Sequence, residues 1–112
     1  MEQVILEACG SGIRLAYMRQ HQSAPETVAV VFNDAQLAAA RIWANTGSWS
    51  APRVQTAPIT IDAGGEGIRV LQVVTVGRNQ ESRAVVLKGN QVSAFRDWLR
   101  QKSPPTPAVL EA

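Results

Sequence analysis

GSGIRLAYMRQHQSAPETVAVVFNDAQLAAARIW, residues 10–43, lies over GEGIRVLQVVTVGRNQESRAVVLKGNQVSAFRDW, residues 65–98, at a constant shift of 55 (65 − 10) and without a gap. Twelve of the 34 aligned positions are identical: Gly10/Gly65, Gly12/Gly67, Ile13/Ile68, Arg14/Arg69, Glu26/Glu81, Ala29/Ala84, Val30/Val85, Val31/Val86, Gln36/Gln91, Ala39/Ala94, Arg41/Arg96 and Trp43/Trp98. Unrelated segments of ordinary composition match at roughly two. The likeness runs backward as well, with Val4-Ile5-Leu6-Glu7-Ala8 over Ile59-Thr60-Ile61-Asp62-Ala63. A period of this length can mark an array, but two copies in 112 residues predict one domain whose halves share a core.

Each half reads the same way. A short β-rich run (4–8; 59–63) meets a Gly turn, and a longer strand follows (13–20; 68–76). In the first copy Ile13, Leu15 and Tyr17 alternate with Arg14, Ala16 and Met18, the period of two of a half-buried strand. A polar loop (21–26; 77–82) leads to a third strand (28–32; 83–87) and then to a helix, for which Asp34 and Asn90 are the candidate caps. Leu37, Ala40 and Ala44 share one helical face, as do Val92, Phe95 and Leu99. Beside them run Gln36, Ala39, Trp43 and Gln91, Ala94, Trp98, a stripe suited to helix–helix or helix–sheet contact. Gly47 suits the end of the first helix, and Pro104-Pro105 forbid continuation of the second.

The expectation is therefore an α+β fold: tandem duplicated βββα units with antiparallel sheets and two helices related by a pseudo-twofold. Residues 1–103 form a single domain of two repeats, 4–47 and 59–102, joined by a connector over 48–58, and 104–112 form a flexible tail.

Composition narrows function. No apolar run reaches the ~18–20 residues of a membrane span, and Met1-Glu2-Gln3 lacks the basic start of a signal peptide. A soluble, cytoplasmic protein is expected, nucleoid-associated in a bacterium. One cysteine, Cys9, and one histidine, His21, leave no disulfide framework and no material for a zinc site, so neither metal nor cofactor is expected. The Gly turns do not complete a phosphate-binding loop, since no Lys-Ser/Thr follows. No nucleophile–base–orienter set is found, and a non-catalytic protein is expected.

Nine of the eleven basic residues are Arg, which pairs a planar fork for phosphate with a face that stacks on rings. Arg14 and Arg69 start the long strands at equivalent positions. Arg19 follows on the side of Tyr17, Arg78 and Arg83 flank the second turn region, Lys88 ends the last strand, and Trp49 and Arg53 sit in the connector. Together with the amides of Asn33, Gln72, Asn79 and Gln80, these nine residues suit a β surface that tracks a nucleic-acid backbone and stacks bases.

The segment RAVVLKGNQVSAFRDWLRQ (83–101), with Ala94-Phe95-Arg96-Asp97 at its centre, resembles the last strand and helix of the PUR repeat. The PC4-like and Whirly groups are similar in architecture over residues 4–102: antiparallel strands followed by a helix, paired by true or pseudo-twofold symmetry. The resemblance implies binding of single-stranded DNA or RNA over curved sheet surfaces, in replication, repair or transcription. Those groups carry four strands per unit, whereas three are legible here. A reading of a different class is a protein-interaction module that forms a homodimer through a sheet edge or through the Gln-Ala-Trp stripe.

Overall fold

The computed structural model describes residues 2–20, 25–53, 56–64, 67–101 and 107–111. In chain order they form β1 (Glu2–Cys9), β2 (Gly12–Gln20), β3 (Pro25–Phe32), α1 (Asp34–Thr46), β4 (Ile59–Gly64), β5 (Gly67–Val76), β6 (Asn79–Lys88), α2 (Gly89–Leu99) and β7 (Ala108–Glu111). The fold is α+β with two helices and two antiparallel sheets, one ordered β3-β2-β1-β7 and the other β4-β5-β6.

Alternation places the core. Val4, Leu6, Ile13, Leu15, Val30, Phe32 and Leu110 bury one face of the first sheet, and Ile59, Ile61, Val70, Val85 and Leu87 one face of the second. Leu37, Ala40 and Ala44 of α1 and Phe95 and Leu99 of α2 join the same cluster. Val92 is half-buried against it. The two helices meet through Trp43 and Phe95, whose ring centroids are 5.8 Å apart at 41°. The Arg96 guanidinium lies 5.6 Å from the Trp43 ring centroid. Its Nε and one terminal nitrogen of Arg100 donate to Ala44 O, at 3.1 and 2.7 Å, so two cations sit where the dipole of α1 is negative.

Two glycines are fixed by close approach. A Cβ on Gly12 would come 1.7 Å from the carbonyl oxygen of Phe32, and one on Gly67 1.8 Å from that of Leu87. Both head an inner strand of their sheet, beside the point where the chain leaves the third strand for its helix.

Four expectations need correction. The tail assigned to 104–112 contains β7: Leu110 pairs with Val4 and is buried, and Ala108 pairs with Leu6. A four-residue strand after two prolines is too short to show a period, yet one buried leucine and a ready partner strand hold it. The loop assigned to 77–82 shrinks to Gly77-Arg78, because Val76 already pairs with Asn79; Gly77 (φ 61°) makes the tight reversal possible. The caps stand one and two residues earlier than Asp34 and Asn90. Asn33 caps α1 and accepts from Gln36 N at 2.8 Å, while Lys88 occupies the cap position of α2. In both helices the third residue folds back, Gln36 Oε1 accepting from Asn33 N at 3.0 Å and Gln91 Oε1 from Lys88 N at 2.9 Å. Lastly, the first sheet has four strands, the fourth supplied by β7. The loop around His21 lies outside the described residues.

Replacing Phe95 by alanine should lower stability by about 3–5 kcal/mol, because a fully buried ring between α2 and Trp43 leaves a cavity. Urea melts read this directly; a midpoint equal to wild type contradicts the packing described.

Candidate nucleic-acid interface

The edges of the two sheets meet where β3 lies beside β6. An edge strand presents unpaired N–H and C=O groups, and here a side chain closes part of that edge. Gln72, on β5 and only 2 % exposed, accepts from Val31 N at 3.0 Å and donates to Val31 O at 2.8 Å. Its amide thus imitates the backbone of a neighbouring strand. It also donates to Ala57 O at 3.2 Å, and Gln36 donates to the same oxygen at 2.7 Å. Among the described residues no buried side-chain nitrogen or oxygen lacks a partner.

Along this seam open two grooves. One, of about 530 Å³, is lined by Arg14, Thr27, Val28, Ala29, Ser82, Arg83 and Ala84. The other, of about 330 Å³, is lined by Tyr17, Ala84, Val86 and Lys88. Ala84 borders both. The first offers two guanidiniums and two hydroxyls around a floor of small apolar side chains, a combination suited to a phosphate ester. The second offers a half-buried phenol ring and an ammonium.

Of the nine expected site residues, Arg14, Tyr17, Arg83 and Lys88 therefore line adjoining grooves. Arg53, Arg69 and Arg78 line neither; all three are exposed, Arg78 in the β5–β6 turn. Arg19 lies in β2 opposite Glu26, and its side chain lies outside the described residues. Trp49 is corrected: its indole donates to Ile59 O at 3.1 Å and its ring packs on the core, so it fastens the connector to β4 instead of facing outward. The outer faces of the sheets are corrected as well. They carry no aromatic residue among the described ones; in their place run the apolar rows Val109–Ile5–Ala16–Ala29 and Thr60–Leu71–Ala84, the second opened by a threonine.

The strand arginines are not bare charges. Arg14 donates to Glu7 at 2.9 Å across β1–β2, and Arg69 to Asp62 at 3.3 Å across β4–β5. Arg83 faces Glu81 on its own strand at 3.9 Å. The carboxylates were legible in the sequence, since Glu7 and Asp62 stand in equivalent places of the two short runs. Thr27 and Ser82 gave less signal, because a hydroxyl on a strand marks no chemistry until the opposite strand is placed. Among the described residues no group of three or more His, Cys, Asp or Glu could hold a metal ion, and no helix is long and apolar enough to cross a membrane. No protein-family model, curated protein or solved structure matches this chain.

Replacing Gln72 by leucine roughly keeps the volume but strips the Val31 N–H and C=O of their partner, while Ala57 O keeps its bond from Gln36. Stability should fall by about 1–3 kcal/mol, the cost of leaving buried polar groups unsatisfied. Hydrogen exchange at Val31 N–H should accelerate in the same variant; unchanged exchange there contradicts the role given to Gln72.

Proposed function

We propose that the chain is a non-catalytic binder of single-stranded nucleic acid, DNA or RNA, and that the strand lies along the seam between β3 and β6. The observation that carries this reading is the convergence of Arg14, Arg83, Tyr17 and Lys88 on two adjoining grooves. A phosphate seats between the Arg14 and Arg83 guanidiniums with the Thr27 and Ser82 hydroxyls at its side. A neighbouring base rests against the Tyr17 ring, and Lys88 meets the next phosphate. Both helices pack on the core, with neither presented for a major groove, which favours a single strand over a duplex.

The same reading takes the chain as a tandem duplication with pseudo-twofold related halves. Supporting it, β2 starts at Gly12 and β5 at Gly67, each with the same forbidden Cβ; Gln36 and Gln91 fold back on equivalent backbone; and the Glu7–Arg14 and Asp62–Arg69 pairs recur 55 residues apart. The first groove is then built from equivalent stretches, Thr27–Ala29 and Ser82–Ala84. Its cations are placed asymmetrically, because Val28 stands where the other copy has Arg83, and Arg69, the counterpart of Arg14, lines neither groove. An asymmetric groove gives the bound strand a polarity that a symmetric one lacks.

With about two phosphates neutralised, one between the two guanidiniums and one at Lys88, log K for a labelled oligonucleotide should fall with log salt at a slope of roughly −1.4, at about 0.7 per phosphate on a single strand. Arg14→Ala with Arg83→Ala should weaken binding and flatten that slope to about −0.7, whereas Arg53→Ala should change little. Glu7→Gln should tighten binding, since it releases the Arg14 guanidinium from its carboxylate. Fluorescence anisotropy at several salt concentrations measures all four proteins. Absence of binding by folded wild type at low salt contradicts the reading.

A further inference from the structure

The exposed edges of the two sheets are not treated alike. The edge of β3 is met by the Gln72 amide, and β6 lies beside β3. The edge of β1 is covered by β7, which is four residues long and has its own Leu110 O bonded by Gln91 Nε2 at 3.4 Å. The edge of β4 remains. Pro58 O accepts from Val73 N of β5, so alternation turns Thr60 and Asp62 toward β5 and Ile59, Ile61 and Ala63 outward. Trp49 bonds Ile59 O from that side. For the outward N–H and C=O of Ile61 and Ala63, no partner occurs among the described residues.

We propose that β4 pairs antiparallel with β4 of a second copy of this chain, making one six-stranded sheet across a twofold axis. The choice of occupant follows from the other sheet. There β1 (Val4-Ile5-Leu6-Glu7) pairs antiparallel with β7 (Ala108-Val109-Leu110-Glu111), two segments of one pattern: apolar, any, apolar, acid. β4 (Ile59-Thr60-Ile61-Asp62) is the third segment of that pattern, and a second copy supplies its like. An antiparallel pair of identical strands satisfies a twofold by itself, each bonding the other through the same atoms. The pairing centres on Ile61, whose outward N–H and C=O exchange bonds with those of the second copy's Ile61 and leave the Trp49 bond in place. Thr60, exposed on the outer face, then stands opposite the second copy's Asp62, twice per interface.

That register makes the test depend on the sign of charge at a position outside the core. Sedimentation velocity over a range of concentrations should show a monomer–dimer equilibrium. Thr60→Lys should tighten it and Thr60→Glu weaken it, each by roughly two- to thirty-fold for two cross-strand charge pairs. Circular dichroism of both variants should confirm that the fold is kept. A monomer at all concentrations overturns the proposal, and so does a dimer indifferent to the charge at position 60, which assembles through another surface. The proposal stands apart from the nucleic-acid reading, since none of these positions lines the grooves.

Discussion

One carbonyl oxygen, that of Ala57, receives the side-chain amides of both Gln36 and Gln72. Through Gln36 it is tied to Asn33 N, where α1 begins, and through Gln72 to the edge of β3 at Val31. Helix, connector and both sheets are thus joined by one run of amide hydrogen bonds. A buried amide is costly when unpaired and directional when paired, so it admits one arrangement where apolar packing alone tolerates several. The placement of β6 beside β3, and with it the seam, depends on this joint. Arg96 and Arg100 hold the far end of α1 at Ala44 O, so the helix is fixed at both ends.

The elements were legible because their signals are local. Alternation over 13–18 marks β2, and the Leu37, Ala40, Ala44 face marks α1. What escaped depends on partners distant in sequence. Nothing near Ala108–Glu111 reveals that Val4 and Leu6 wait for it, and a proline-rich approach argued for a tail. Nothing in the composition of residues 77–82 separates a long loop from a two-residue turn followed by a polar strand start. Gln72 reads from its neighbours as a polar interruption of an apolar strand; only its bonds to Val31, 41 residues away, explain it. The residue that aligns with it at the shift of 55 is Tyr17, which lines a groove at the seam.

The candidate site was legible in kind and only partly in place. Arginine on the strands is a sequence fact, but which arginines converge is a matter of sheet geometry. Arg14 and Arg83 line one groove, whereas Arg69, which aligns with Arg14 at the shift of 55, lines neither. The aromatic residues divide by the same logic. Trp43 and Trp98 are needed between helices and sheets, Trp49 fastens the connector, and Tyr17 alone among these stays at a groove. Because Arg14 is held by Glu7, any anion drawn to its guanidinium would have to compete with a carboxylate, which lowers affinity.

The most direct measurement is a backbone amide NMR titration of the isotopically labelled protein with a short single-stranded oligonucleotide. The account predicts that the largest shift changes fall on Thr27–Ala29 and Ser82–Ala84, together with Tyr17 and Lys88, and that the outer face around Thr60 and Leu71 is quiet. Shift changes centred on that outer face, or spread evenly over the surface, would contradict it.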